Sequence, residues 1–210
     1  MPDFITPPLI LLVWAVIGYL LGSIPSGVLI ARAMNLGNLR DIGSGNIGAT
    51  NVLRTGNKRA AALTLVGDAL KGAVAVLLAR AFAGEDAVQL AALMAFIGHC
   101  FPVWLNFKGG KGVATYLGIF LGYAWPIGLA ACAIWLIVAL VSRYSSLAAL
   151  VAAGWLPVIM AFTGYGSSFF LAIILCLIMY ARHWSNIQRL RAGDETKIGA
   201  SAGVPKTSTE

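Results

Sequence analysis

The sequence predicts an all-α, polytopic integral membrane protein with about seven transmembrane segments. Three observations lead to this prediction. Of the 210 residues, 59% are hydrophobic and 11% are charged, and the mean hydropathy is +0.83, whereas a soluble domain carries about 25% charged residues. Apolar runs long enough to cross a hydrocarbon layer of roughly 30 Å recur along the chain. Basic residues concentrate in short segments between these runs.

The apolar runs and the charges between them predict a topology with the N-terminus outside and the C-terminus in the cytoplasm. Loop 32–59 carries five basic residues against a single acidic one, so the positive-inside rule places it in the cytoplasm. Glu85 and Asp86 mark the next connection as external. The predicted spans of this single membrane domain, 1–199, are about 9–31, 60–83, 87–105, 113–125, 126–142, 146–163 and 166–181. A disordered tail is predicted at 200–210.

The run 113–141 leaves the number of crossings open. A single crossing would put the basic segment 181–199 outside, whereas two crossings put both basic segments inside. Each half of the run is short for a full span, but Gly122 and Pro126 are plausible helix breakers. The charge distribution favours two crossings and hence seven segments.

The composition also excludes several classes of protein. The three cysteines lie in or beside apolar runs without disulfide or zinc spacing, which is typical of buried hydrophobic residues. The net charge of +7 is spread over short loops, so it indicates topology and anion binding and not nucleic-acid binding. Since no metal-ligand cluster is visible, we expect no metal and no cofactor.

The loop GSGNIGATNVLR, 43–54, is rich in glycine and asparagine and ends on arginine. Its G-x-G-x-x-G pattern lacks the preceding strand of a dinucleotide-binding fold. A tight connector between spans would explain the glycines alone. An anion-binding loop also explains the polar side chains, because glycine-rich backbone N–H groups converge on oxyanions and a guanidinium binds phosphate bidentately. The predicted phosphate-binding residues are Ser44, Asn46, Thr50, Asn51 and Arg54.

A second polar segment, GHCFPVWLNFKGGKGVAT at 98–115, brackets two glycines with Lys108 and Lys111. It fails the P-loop pattern, because the positions that need glycine and Ser or Thr hold leucine and glycine. We predict that the two lysines bind a second phosphate, although a positive-inside anchor would use them too. His99 is a candidate base or a hydrogen-bonded structural residue.

The third polar segment, RHWSNIQRLRAGDETKIG at 182–199, follows the last apolar run. On one helix, His183 and Asn186 share a face and Arg189 lies on an overlapping face. This pattern predicts a polar site, while a solvated basic helix end is the alternative.

Asp68 and Lys71 stand three residues apart inside the second predicted span, where ionisable residues are costly and often functional. They could equally form a mutually neutralising pair.

Together, these three segments resemble in order and spacing the signature motifs of the bacterial acyl-phosphate-dependent glycerol-3-phosphate acyltransferase family (PlsY). The resemblance covers nearly the whole chain. It implies transfer of a fatty acyl group from acyl phosphate to the sn-1 hydroxyl of glycerol 3-phosphate, giving lysophosphatidic acid and phosphate in phospholipid biosynthesis. It also implies seven membrane segments, action at the cytoplasmic face of the bacterial inner membrane, and a possible partner enzyme that produces acyl phosphate.

The residues agree with this expectation. Both substrates carry phosphate, and acyl phosphate is already an activated anhydride, so positioning and charge stabilisation supply most of the catalysis. We expect His183, Asn186 and Arg189 to orient glycerol 3-phosphate and Lys111 to stabilise the departing charge. The hydroxyl proton could go to His183, to His99 or to a substrate phosphate oxygen, and we favour the last.

Two other classes compete with an acyltransferase. A transporter of phosphate esters predicts polar residues along the spans and a site near the midplane, whereas here the polar residues gather at one face. A structural subunit would need only Lys and Arg as anchors, which leaves the Asn, Ser and Gly residues unexplained.

Overall fold

The computed structural model describes residue 3 and residues 5–199, and the regular structure in this part of the chain is helical. The all-α class predicted from the sequence is therefore confirmed, while the predicted tail at 200–210 lies outside the described residues. The helices are α1 (Pro8–Gly22), α2 (Ser26–Ala33), α3 (Ala49–Leu53), α4 (Lys58–Phe82), α5 (Glu85–Cys100), α6 (Val113–Tyr123), α7 (Trp125–Ser142), α8 (Ser145–Phe162), α9 (Phe169–Arg182) and α10 (Trp184–Ala192). Short 3-10 turns lie at Leu39–Asp41, Val103–Leu105 and Gly166–Ser168.

Length and hydropathy identify the helical segments that are able to cross a membrane. Within the described residues these are Pro8–Ala33, Lys58–Phe82, Glu85–Leu105, Trp125–Ser142 and Ser145–Phe162, and the bent pair Gly166–Arg182 with Trp184–Ala192 would make a sixth. The apolar helix α6 has 11 residues, which corresponds to about 16 Å. Whether α6 crosses, the total of seven spans and the orientation of the termini stay predictions.

The first predicted span contains an interruption. Helix α1 ends at Gly22 and α2 begins at Ser26, because Pro25 has no N–H group with which to continue the hydrogen-bond ladder. The carbonyl oxygen of Ile24 at this break accepts from the Ser26 backbone N–H at 3.0 Å and also from Lys71 Nζ of α4 at 2.9 Å. The break therefore gives α4 a polar anchor on the first span.

A second boundary falls at Ala124, whose extended backbone (φ −149°) separates α6 from α7. It lies between Gly122 and Pro126, the two residues from which the sequence predicts a helix break. A third falls at His183, where the axis bends by 61° between α9 and α10. His183 is the N-cap residue of α10, and Asn186 lies in the first turn of the same helix. The bend comes where the apolar residues of α9 give way to the polar sequence of α10, and the side chains of His183 and Asn186 are both buried.

Small residues allow the closest helix contacts. A Cβ atom added at Gly18 or Gly22 of α1 would lie 2.5 or 2.0 Å from the carbonyl oxygens of Ala91 and Ala95 in α5. Only glycine permits this approach, which is the small-xxx-small packing found in membrane helices. The same pattern joins α6 to α4, where Gly118 and Gly122 face Ala69 and Ala73. These two close contacts, of α1 with α5 and of α4 with α6, fix the helices around the site described next.

Candidate active site

A cavity of about 620 Å³ lies where the three polar segments meet. Its walls come from the N-terminal halves of α4 and α6, the first turn of α8, the middle of α7, His99 near the end of α5, and the segments 43–54 and 183–198. Eleven of the residues singled out from the sequence line this cavity: Ser44, Asn46, Thr50, Asn51, Arg54, Asp68, His99, Lys111, His183, Asn186 and Arg189. The structure therefore brings together side chains that stand as far as 145 positions apart in the chain.

Asn51 organises the first segment from inside. Its side chain is 2% exposed, and its Oδ1 accepts from the Ser44 backbone N–H at 3.1 Å and from Arg54 Nη1 at 3.3 Å. Its Nδ2 donates to the carbonyl oxygens of Leu39 and Asn46, at 2.9 and 2.7 Å. Since both N–H groups of the amide are used within the protein, Asn51 acts in this geometry as a support for Ser44 and Arg54, and not as the direct phosphate donor that the sequence predicts.

The glycine at position 43 makes this arrangement possible. Its φ of +52° lies in the left-handed region, and a Cβ atom there would stand 2.6 Å from Arg54 Cδ and 2.9 Å from Asn51 Oδ1. A side chain at position 43 would therefore displace the guanidinium from the cavity. Thr50 extends the same wall, because its hydroxyl lies 3.1 Å from the Ser145 hydroxyl at the start of α8.

The two lysines of the second segment point to different places. Lys111 lines the cavity, whereas Lys108 is exposed and outside it. The chain reverses between α5 and this segment through Asn106 and Phe107, which both have positive φ angles (50° and 60°). Lys111 is therefore the lysine of the second segment that brings positive charge into the cavity, and Lys108, predicted to share this role, lies outside the cavity.

The two glycines between the lysines are fixed by the protein. Their N–H groups donate to the carbonyl oxygens of Cys100 and His99, each at 3.1 Å. Their carbonyl oxygens accept from Nη2 and Nε of Arg182, each at 3.2 Å. Because these backbone groups are already paired, the segment acts as a rigid support for Lys111 and not as a backbone anion cradle. Arg182, which also stands 5.0 Å from the ring of Phe101, is a positioning residue that the sequence analysis did not single out.

Glu195 is the second residue that the sequence analysis missed. Its Oε1 accepts from Asn186 Nδ2 at 2.6 Å and from Ser146 Oγ at 2.8 Å, and its Oε2 accepts from Arg189 Nε at 2.7 Å. Asn186 in turn accepts from Lys111 Nζ. One carboxylate thus ties α8, α10 and the second segment together. From the sequence alone, an acidic residue in a polar segment is expected to be a surface charge, so the contacts of Glu195 become visible only in the fold.

The cavity is cationic overall, because Arg54, Lys111 and Arg189 line it together with two carboxylates, of which Glu195 is paired with Arg189 and Asp68 is paired with Lys71 outside the cavity. Burial lowers the pKa of Lys111 to about 8, and the positive charge of Arg189 acts in the same direction. Burial alone would raise the pKa of Glu195, but the hydrogen bonds from Asn186, Ser146 and Arg189 outweigh it and hold this pKa below its ordinary value. Glu195 is therefore a carboxylate at neutral pH.

The remaining carboxylate of the cavity belongs to a buried polar group underneath it. Asp68 Oδ1 lies 2.9 Å from Lys71 Nζ and 3.7 Å from His99 Nδ1, and all three side chains are almost fully buried. Lys71 does not line the cavity. His99 packs directly below Gly110, where an added Cβ atom would lie 2.3 Å from His99 Nε2. The Asp68–Lys71 pair is thus mutually neutralising, and it supports the floor of the site.

The other histidine, His183, lies at the bend between α9 and α10. Its ring is 2% exposed and lines the cavity, and its Nδ1 lies 2.9 Å from the carbonyl oxygen of Met179. This contact fixes the orientation of the ring and leaves Nε2 as the ring nitrogen that is available to a substrate. The lining of the cavity also includes large apolar side chains, among them Leu65, Val113, Leu117 and Trp135. A phosphate attached to a long apolar chain would match this combination of cationic and apolar side chains.

The fold and the site define a polytopic membrane protein with a cationic, apolar-walled cavity at one end of its helices. The family model for glycerol-3-phosphate acyltransferase matches residues 12–193. A glycerol-3-phosphate acyltransferase of Ruegeria pomeroyi is 62% identical over 95% of this chain and 98% of its own length. One of Cereibacter sphaeroides is 53% identical over the full length of both chains.

Solved structures give the same result. The crystal structure of PlsY (YgiH), an integral membrane glycerol 3-phosphate acyltransferase, in its glycerol 3-phosphate form is 37% identical, with a TM-score of 0.85 over 90% of this chain and 96% of that chain. Its lysophosphatidic acid form is 35% identical, with a TM-score of 0.82. This chain belongs to the PlsY family of integral membrane glycerol-3-phosphate acyltransferases.

Proposed function

We propose that this protein transfers a fatty acyl group from acyl phosphate to the sn-1 hydroxyl of glycerol 3-phosphate, at the cytoplasmic face of the bacterial inner membrane. The single observation that carries this proposal is the cavity whose lining combines three cationic side chains with large apolar ones. An acyl phosphate has the same division into an anionic head and an apolar chain. A separate enzyme would supply this donor.

The chemistry needs no covalent enzyme intermediate. The glycerol hydroxyl oxygen attacks the acyl carbon, the bond from that carbon to the phosphate oxygen breaks, and inorganic phosphate leaves. The hydroxyl loses one proton and the products are lysophosphatidic acid and phosphate. Because the donor is an activated anhydride, orientation of the two substrates and stabilisation of the departing charge supply the catalysis.

The cations divide between the two phosphates in this proposal. Arg54, with Ser44 and Thr50 beside it, binds one phosphate from the first segment, and Lys111 stabilises the charge on the leaving group. Arg189 and Asn186 orient glycerol 3-phosphate from α10. Asn46 lies on the wall of the first segment and lines the cavity, so it is available to either substrate.

A substrate phosphate oxygen accepts the hydroxyl proton in this proposal, because its second pKa lies near the working pH. His183 is the alternative base, since it lines the cavity, and His99 is a weaker one because the glycine segment covers it. We expect His183→Gln and His99→Gln to retain at least about a tenth of wild-type turnover, since a general base contributes about 10²–10⁴-fold. Loss of turnover in both variants, with glycerol 3-phosphate still bound in a calorimetric titration, would contradict a substrate base.

The first experiment measures phosphate release from palmitoyl phosphate by purified protein in lipid, with and without glycerol 3-phosphate. We expect release that requires glycerol 3-phosphate and that is lost, by about 10²-fold or more, in Arg54→Ala, because a charge-assisted phosphate contact is removed. Arg59→Ala is the matched control, since Arg59 is exposed and outside the cavity, and it should retain wild-type release.

Two outcomes of this assay would change the assignment. Lysophosphatidic acid formed from palmitoyl-CoA, with release of free coenzyme A, but not from palmitoyl phosphate would replace the donor and keep the acceptor. No lysophosphatidic acid with either donor would favour a transporter of phosphate esters, and uptake of labelled glycerol 3-phosphate would then be measured.

A further inference from the structure

A second cavity, of about 490 Å³, lies on the other side of the first segment. Asn46 and Gly48 line the active-site cavity, whereas Ile47 between them lines the second one. Leu39 is also shared, because its side chain lines the second cavity and its carbonyl oxygen accepts from Asn51. One stretch of backbone therefore forms the wall between two separate cavities.

The second cavity has an apolar floor and a cationic rim. Ala31, Leu39 and Ile47 on its floor are at most 4% exposed, while Arg32 and Arg40 on its rim are exposed. Within residues 5–199, no carboxylate lies within 4.0 Å of either guanidinium. Arg40 is held by a hydrogen bond from its Nη2 to the carbonyl oxygen of Lys108. A pair of unneutralised arginines above an apolar floor suits an amphiphile with a negative head.

The surroundings of this cavity indicate the level of lipid head groups. Arg32 is in the last turn of α2, at the end of the candidate span Pro8–Ala33. The neighbouring turn Val103–Leu105, whose Leu105 lines the cavity, exposes Trp104 by 62% and is followed by Phe107, exposed by 59%. The Trp104 indole N–H donates to Ser23 Oγ at 2.9 Å. Trp side chains with a bonded N–H and an exposed ring are typical of the membrane interface.

We propose that this second cavity binds the head group of an anionic phospholipid from the surrounding bilayer. Its phosphate lies between Arg32 and Arg40, and its acyl chains follow the exposed apolar face of α2, where Leu29 is 49% exposed. A lipid is favoured over a soluble anion because the floor and the flanking turn are apolar. A negative net charge distinguishes the ligand from a zwitterionic lipid, which would carry its own cation to the arginines.

The test compares lipid binding by delipidated protein in neutral detergent, measured by native mass spectrometry with phosphatidylglycerol and phosphatidylcholine of the same acyl chains. We expect tighter binding of phosphatidylglycerol, weakened about tenfold or more by Arg32→Gln with Arg40→Gln, since each juxtamembrane cation contributes about fivefold. The control pair Lys58→Gln with Arg59→Gln removes the same charge from exposed residues outside both cavities and should change binding less than about twofold.

Two further variants keep the result interpretable. Arg32→Gln alone leaves the contact of Arg40 with Lys108 intact and should weaken binding about fivefold even if the double variant is unstable. Lys111→Met removes a cation from the active-site cavity and should leave lipid binding unchanged. The proposal is overturned if phosphatidylcholine binds equally well, if the control pair weakens binding as much as the rim pair, or if Lys111→Met causes the loss instead.

Discussion

Replacing Lys111 with methionine should lower kcat/KM about 10²–10³-fold, because it removes a fixed cation from the place where phosphate charge develops. Lys108→Met is the matched control in the same segment: its side chain is exposed and outside the cavity, so we expect kcat/KM within about twofold of wild type. The measurement is phosphate release at varied glycerol 3-phosphate and acyl phosphate, with thermal unfolding of both variants as the folding check. Equal losses in the two variants would contradict the assignment of Lys111 alone to the site.

The pH profile gives the same prediction a second readout. Burial, and then the neighbouring Arg189, lower the pKa of Lys111 to about 8. The ammonium form is present below this pKa and is lost above it, so the kcat/KM of the wild type should fall as the pH rises through about 8. Lys111→Arg keeps its charge at all these pH values, and its profile should stay level over the same range. A wild-type profile that is level to pH 9 would contradict the lowered pKa of Lys111.

Replacing Gly110 with alanine should have the second large effect. The added Cβ atom would lie 2.3 Å from His99 Nε2, and His99 cannot retreat because it is buried against Asp68. The segment must therefore move, which carries the adjacent Lys111 with it. We expect a loss of about 1–3 kcal/mol in the free energy of unfolding, typical of overpacking, and at least about a tenfold loss of turnover.

Gly48→Ala controls for the glycine substitution itself. At Gly48 the φ is −82°, and the added Cβ atom would meet only Asn46 Nδ2, at 3.5 Å, which is an ordinary contact. The free energy of unfolding should therefore change by less than about 0.5 kcal/mol. The measurement is thermal unfolding in one detergent for both variants, and equal unfolding temperatures would show that the contact between Gly110 and His99 imposes no constraint.

The sequence was sufficient to predict the helical membrane fold and the convergence of three segments, because polar clusters in an otherwise apolar chain must gather at a face of the membrane. It was not sufficient to separate Lys108 from Lys111. The directions of the two lysine side chains depend on the positive φ angles of Asn106 and Phe107. Neither residue is a glycine, which is the residue type from which a sequence would predict such a turn.

The same limit applies to the side chains that support the site. Asn51 carries an amide group that is able to bind phosphate, but this amide forms hydrogen bonds with Leu39, Asn46 and Ser44. These contacts depend on how the five-residue helix α3 packs, and no local pattern in the sequence predicts that packing. Glu195 stands in a short polar tail with no periodicity to mark it. Its role follows from the bend at His183, which turns α10 toward the start of α8, and no local pattern in the sequence predicts that angle.

The hydrogen bonds of Glu195 have a consequence for substrate entry. The carboxylate is an internal counter-ion, since it holds Asn186 and Arg189 in place before any substrate arrives. In the proposed function, an incoming phosphate therefore meets donors that Glu195 already orients, and it binds to their remaining N–H groups without having to order loose side chains. The dipoles of the site are set during folding, so the energy of reorganisation at each turnover is small.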